Sequence, residues 1–359
     1  MKSQRIGRRL LVAAALCLAT AMAAAQQYSM TVLGPFANLP YTGINNFGEV
    51  SAYNSTINTA VIYGAGGVTS LGLGHSAGTA INNAHQVVMW SSSSERSYLV
   101  SPPYVYLFDL GALGVGPGPG PRGTQTAMAL AMNDSGTIVG ESSITTAGTP
   151  QWHAFSYASG HMTDLGTLDP ASYSMARSVN NLGQSVGESK NAGGYYRAFR
   201  VINGIMADID PGNPAYDSSG YAINDSGQMV VLTNKAWHQV LVGKKLLWVA
   251  YRGPVWYTLL YNSNGSSVDV GNLGSTFGTF GVVMNNAGDI VGQAFVPNGD
   301  PHAFLYHAGA IIDLNSRTYR MAGWTLTMAQ NINDLGQIVC QALGPDGVYQ
   351  IVLLTPEPV

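Results

Sequence analysis

One phrase is written seven times along the chain, as "GINNFGEVSAY" (43 to 53), "AINNAHQVVMW" (80 to 90), "AMNDSGTIVGE" (131 to 141), "SVNNLGQSVGE" (178 to 188), "AINDSGQMVVL" (222 to 232), "VMNNAGDIVGQ" (283 to 293) and "NINDLGQIVCQ" (331 to 341). Its leading residues, Asn45, Asn82, Asn133, Asn180, Asn224, Asn285 and Asn333, lie 37, 51, 47, 44, 61 and 48 positions apart. A unit recurring at that period cannot bury its apolar face alone and stacks on its own copies.

Each copy spells a tight turn. Asparagine hydrogen-bonds its own backbone two residues on, and a glycine three positions later takes a positive φ at little cost. That glycine is Gly48, Gly136, Gly183, Gly227, Gly288 or Gly336, and His85 replaces it in the second copy. Histidine is among the few other residues enriched at positive φ, so the same turn is expected there. Flanking β-branched residues, as in "TIVG", supply the returning strand.

A second phrase follows: "TAVIYGAGGVTSLG", "HAFSYASGHMTDLG", "RAFRVINGIMADID", "YTLLYNSNGSSVDVG" and "HAFLYHAGAIIDLN". It again reads strand, glycine turn, strand, so a unit holds four short antiparallel strands, a to d, the pattern of a propeller blade. The segment "YSMTVLGPF" resembles a lone strand d, whereas "GVYQIVLLTP" is a strand c without its d. The expected fold is therefore all-β: a seven-bladed β-propeller of four-stranded antiparallel blades, one domain over 26–359, closed by the N-terminal strand pairing with the C-terminal blade. Composition agrees, with 44 Gly and only 10% charged residues, a balance that suits short strands and glycine turns more than helices.

Two units depart from the pattern. "GALGVGPGPGPRGTQ" (111 to 125) is read as a surface loop between the second and third blades. The fifth unit carries an apolar hairpin within 235–257, whose Trp237, Trp248 and Trp256 either pack the insertion or form an exposed patch.

"MKSQRIGRR", the apolar run "LLVAAALCLATAMA" and the small residues of "AMAAAQQ" predict a secretory signal peptide over 1–25, cut after Ala25. The apolar run is shorter than the roughly 20 residues of a spanning helix, so no membrane span is expected after its removal. Paired Arg8 and Arg9 hint at twin-arginine export, and Leu16 before Cys17 argues against a lipid anchor. Removing the segment takes four of the 16 basic residues and leaves 12 against 19 acidic ones, which argues against nucleic acid as a partner. The remaining Cys340 has no partner cysteine and is expected to be a buried filler.

"HAFSY" and "HAFLY", followed by "MTDLGTL" and "IIDLN" and joined to "INDSG"-type turns, resemble the bacterial extracellular HAF-repeat family over essentially the whole chain after the signal segment. The tripeptide is intact at His153 and His302 and becomes "RAF" at Arg197. The resemblance implies a secreted or surface-displayed repeat protein without an assigned reaction, and it brings no catalytic residues. "TPEPV" matches the first letters of a PEP-type sorting tail, but no apolar helix or basic end follows.

The sequence carries no H-E-x-x-H, paired cysteines or P-loop, its N-D-x-G turns lack the alternating oxygen ligands of a calcium loop, and no sialidase-type box with tryptophan is present. No metal, cofactor or catalytic residue is predicted, and His153 and His302, recurring with Arg197 and Tyr257 at one repeat position, read as strand-edge residues. Ligand-binding candidates come instead from the loops between strand d and the next strand a: Asp169, Tyr173, Arg177, Asp210, Tyr216, Asp217, Phe280, Arg320 and Trp324. Aromatic faces stack on a ligand while charges orient it, which suits a glycan, peptide or cell-envelope component.

The expected function is a non-enzymatic binding or scaffold module at the cell surface or outside the cell. The alternative is a secreted polysaccharide hydrolase or lyase using Asp169, Asp210 or Asp217; a purely structural matrix role is a third reading.

Overall fold

The fold is that of a computed structural model, which describes residues 26–35, 42–113, 126–146, 149–170, 172–209, 216–234, 237–242, 245–250, 256–319 and 322–358. The signal segment 1–25 and most of the Pro- and Gly-rich loop, 114–125, lie outside the described residues.

Seven four-stranded antiparallel sheets follow one another along the chain. Blades 1 to 6 span 43–74, 76–109, 127–166, 174–208, 218–269 and 279–313, and blade 7 combines 325–356 with the N-terminal strand Tyr28–Pro35. That strand pairs antiparallel with Tyr349–Pro356, from Tyr28 opposite Pro356 to Pro35 opposite Gln350. The ring thus closes with a strand from each end of the described chain, and the last sheet gains its fourth strand without exposing a third one as an edge. The fifth blade carries the expected extra hairpin, Trp237–Val242 paired with Lys245–Ala250; the side chains of Trp237 and Trp248 lie outside the described set.

The core is divided into seven layers, one at each blade boundary. Val139 and Ala154 of blade 3 meet Ala176, Phe199 and Val201 of blade 4, and Val339 and Ile351 of blade 7 meet Ile44, Val50 and Val61 of blade 1 across the closure. Inner strands are covered on both faces, which is why Thr59–Gly64, "TAVIYG", is almost wholly buried instead of alternating. Outer strands such as His161–Gly166 stay largely exposed on their solvent side.

The repeated turn forms as the sequence requires. Gly48, Gly136, Gly183, Gly227, Gly288 and Gly336 have φ between 74° and 86°, and His85 takes the slot at 60°. The leading asparagine also joins blades, which the turn reading alone did not anticipate. In six of seven copies its Nδ2 donates to the backbone carbonyl of the next leading asparagine, at 2.9 to 3.3 Å. The exception is Asn224, whose amide faces Met284 Sδ at 3.9 Å. A second belt is complete: the backbone N–H of Asn46, Asn83, Asp134, Asn181, Asp225, Asn286 and Asp334 each donates to the side-chain Oδ1 of the next member, at 2.8 to 3.0 Å.

The first residue of the H/R-A-F tripeptide has an equally regular partner. His153 meets Asp164 at 2.9 Å, Arg197 meets Asp208 at 3.0 Å and His302 meets Asp313 at 2.7 Å, in each case the acid of the following strand d. Arg96 and Asp109 repeat the pair in blade 2 at 2.9 Å. The other carboxylate oxygen of Asp109, Asp164 and Asp313 accepts the N–H two residues on, turning the chain toward the next blade. One aspartate therefore ties strand c to strand d and starts the link to the next repeat.

Candidate functional site

Antiparallel blades place the d-to-a and b-to-c loops on one face of the ring and the N-D-x-G turns on the other. Between the two faces, the innermost strands line a central cavity of about 660 Å³.

In blades 2 to 7, three positions before the leading asparagine, strand a skips a residue against strand b. The skipped residues are Thr79, Leu130, Arg177, Tyr221, Val282 and Gln330. A bulge bends the strand and re-aims the unpaired residue; together with Thr42 at the same offset in blade 1, these residues line the cavity as a collar. The N-D turns close one end of the cavity with the two amide belts, including Asp134, Asp225 and Asp334.

Arg177 organises the other end. Its Nη2 donates to Glu188 Oε1 at 3.0 Å, and its guanidinium lies 4.7 Å from the ring centre of Tyr221 in the next blade. Burial opposes the Arg177 charge, but Glu188, Tyr221 and Tyr173 together outweigh it and hold the proton more firmly than in free arginine. Tyr173, just before strand a of the same blade, hydrogen-bonds Glu141 of the preceding blade. Burial pushes the Glu141 carboxyl above its ordinary value, against the lowering effect of Tyr173 and Arg177, and Glu188 adds to the rise. Burial likewise raises the Tyr173 phenol, helped by Glu141 and Glu188. The outcome is two carboxyls, one guanidinium and two phenols on three consecutive blades, with Phe280 and Gln293 lining the cavity in blade 6.

The candidates drawn from the sequence divide clearly. Tyr173 and Arg177 belong to this cluster. Asp217 sits on its rim, where Oδ1 accepts the N–H of Tyr196 at 3.0 Å; the Tyr196 ring meets Tyr173 edge-on with centroids 5.9 Å apart. Asn234 Nδ2 donates to the other Asp217 oxygen at 3.3 Å, so this carboxylate fastens loops. Tyr216 is buried against Arg197, 4.2 Å from ring centre to guanidinium. Trp324 packs on the core of blade 7, and Asp169 is half-buried, its backbone carbonyl accepting from Thr167 Oγ1. Asp210 and Arg320 lie outside the described residues. Glu141, Glu188, Tyr221, Gln293 and the rest of the collar were not singled out from the sequence.

Among the described residues no group of three or more His, Cys, Asp or Glu is placed to hold a metal ion, and no helix is long and apolar enough to cross a membrane.

No family model and no curated relative match the chain. Solved structures match through the fold. A puromycin-hydrolyzing peptidase from Mycobacterium tuberculosis aligns over 90% of this chain with 11% identity and a TM-score of 0.53, and the chain spans 55% of that protein's length. A streptogramin B lyase aligns over 92% of this chain and 98% of its own, at 10% identity and a TM-score of 0.47. A gluconolactonase from Xanthomonas campestris aligns over 92% of this chain and 90% of its own, at 10% identity and a TM-score of 0.44. The chain is a seven-bladed β-propeller similar in fold to such proteins, and fold alone carries no reaction.

Proposed function

We propose that the chain is an exported propeller of the HAF-repeat type that binds a ligand, without turning it over, at the mouth where the d-to-a loops meet the central cavity. The observation that carries this reading is Arg177, paired with Glu188 and set against Tyr221 beside the Tyr173–Glu141 pair at a cavity of about 660 Å³. Such a volume falls in the ~300–1,000 Å³ range of ligand pockets. The tripeptide and turn phrases support the family, and the "MKSQRIGRR" leader supports export. The test is a binding screen of the purified chain against glycans, peptides and envelope polymers, with product analysis of every hit. Binding without products is expected, and weakening by Arg177→Met places it at this mouth.

One observation favours the second reading, a polysaccharide hydrolase. Glu141 is held toward its protonated form by burial, with Glu188 near enough to add to that rise, and a carboxyl kept neutral beside a second carboxyl is the setting of a general acid. Products that disappear with Glu141→Gln would put this reading first.

A further inference from the structure

We propose that the extra hairpin of blade 5 docks the propeller on the surface of an anionic lipid bilayer. This goes beyond the ligand reading and does not depend on it.

The hairpin has no task in the ring. Its strands Trp237–Val242 and Lys245–Ala250 form a two-stranded sheet of their own, and blade 5 is complete without them as a four-stranded sheet. Trp237–Val242 runs beside the outer strand of that blade, Ser267–Asp269. Lys245–Ala250 has no strand on its other side among the described residues. Two strands alone are at best marginally stable in water, so such a hairpin needs a surface to lie on.

Register shows that one surface is not enough. Cross-strand partners share a face and neighbours along a strand alternate between faces. Trp237, Leu241, Leu246 and Trp248 therefore fall on one face, and Val240 and Leu247 on the other. A hairpin with one face on protein and the other in water alternates apolar with polar residues; here nine of the twelve strand residues are apolar. Blade 5 covers at most one face, and the other calls for an apolar partner outside the ring.

Charge chooses that partner. Of the 12 basic residues after position 25, Lys235, Lys244, Lys245 and Arg252 fall in these strands or within two positions of them, while 226–268 holds no Asp or Glu. In a chain with an excess of acids, this stretch is a local block of positive charge. A second copy of the hairpin would bring the same positive charges and no acid, so pairing with itself is disfavoured. Nucleic acid draws its affinity chiefly from phosphate contacts, which leaves the apolar residues unused. An anionic bilayer takes both features. Its headgroups attract Lys and Arg, tryptophan settles at the membrane–water interface, and apolar area buried there adds to the binding.

The test is vesicle flotation of the purified chain from Gln26 onward, because the apolar run of 1–25 would itself enter lipid and the ring closes within 28–356. Vesicles of mixed phosphatidylcholine and phosphatidylglycerol should carry the protein, pure phosphatidylcholine should carry far less, and added salt should release it. Lys245→Glu reverses one charge and should weaken binding about tenfold or more. Lipid brominated on its acyl chains should quench tryptophan emission, and Trp248→Phe should remove a large part of that quenching. Neither position belongs to a blade, so both variants should melt with the unaltered chain, which separates lost docking from lost folding. Arg177→Met, at the mouth, should bind vesicles normally, so ligand binding and lipid binding are read separately. The proposal falls if anionic vesicles do not carry the chain, if neutral ones carry it equally, or if folded Lys245→Glu binds as well as the unaltered chain. It also falls if the chain ignores vesicles and instead self-associates in analytical ultracentrifugation in a way that Lys245→Glu alters, since the hairpin would then seat a second copy.

Discussion

The side-chain amide of Asn333 donates to the backbone carbonyl of Asn45 at 2.9 Å, joining the last repeat of the ring to the first across 288 positions of sequence. The same side chain accepts from the N–H groups of Leu335 and Gln337 and donates to Gln337 Oε1. One 4%-exposed residue therefore satisfies a turn and closes a belt. Asn333→Ala leaves several of these groups unpaired and should cost about 2–4 kcal/mol in urea unfolding. A loss of no more than about 0.5 kcal/mol, the level of an ordinary surface change, would show that the belt contributes nothing to closure.

Ring closure predicts a sharper result for the N-terminal strand. Removing Tyr28–Pro35 strips its partner Tyr349–Pro356 along its length and takes Tyr28 from the core of blade 7. The truncated chain should lose its cooperative unfolding transition or self-associate through the bared edge, read by denaturant melts and size-exclusion chromatography. A monomer that melts like the full chain would mean that closure does not depend on this strand.

The repeat count, the strand order and the closing strand were legible because each rests on local chemistry copied many times: Asn at the turn, Gly at positive φ, apolar runs between. The collar was not read, because a bulge is a property of how two strands pair and leaves little trace in composition. A signal was nevertheless present. The column three before each leading asparagine reads Thr, Thr, Leu, Arg, Tyr, Val, Gln, whereas the column just before the asparagine holds only Ile, Met or Val. Both columns line the cavity, and the variable one supplies the residues skipped at the bulge. Loops were favoured as the place of function, so Tyr173 was named, and Arg177 with it as part of the segment 167–178 although it lies in strand a, while Glu141 and Glu188 on strands b were passed over.

Arg197 is fully buried, holds Asp208 at 3.0 Å and donates from Nη1 to the Tyr216 carbonyl at 3.0 Å. Arg197→Ala removes the guanidinium beside a half-buried carboxylate and should cost about 3–5 kcal/mol. Adding Asp208→Asn should recover part of that loss, because the carboxylate charge that Arg197 balanced is then gone. A double mutant as unstable as the single one would assign the effect to lost packing on Tyr216 instead.

Glu141 gives a pH prediction. Its folded-state value is raised above the ordinary carboxyl range, chiefly by burial, so the folded protein binds this proton more tightly than the unfolded chain does. The contribution is fully present at pH below the unfolded value and is lost as pH rises through the folded one. Glu141→Gln keeps a neutral side chain at every pH, so its stability relative to the unaltered chain should increase between about pH 4 and pH 8. Melting curves of both proteins across that interval decide it, and a difference that stays flat or reverses would show that Glu141 is not held toward its neutral form.

Two glycines of neighbouring blades should respond very differently to alanine. Gly136 has φ of 81° with its nearest neighbour for an added Cβ, Gln86 Oε1, at 3.5 Å, so Gly136→Ala meets only backbone strain and should cost about 1 kcal/mol. Gly187 pairs with Ala176 beside the bulge at Arg177, and a Cβ there would lie 1.9 Å from the Met175 carbonyl oxygen. The backbone of strand a must then move, and Arg177 with it. Gly187→Ala should therefore cost about 3 kcal/mol or more, beyond the usual range for a single substitution, and should weaken any ligand that depends on Arg177. If Gly187→Ala is the milder of the two in denaturant melts, the close approach of strands a and b that turns Arg177 into the channel is not the native geometry.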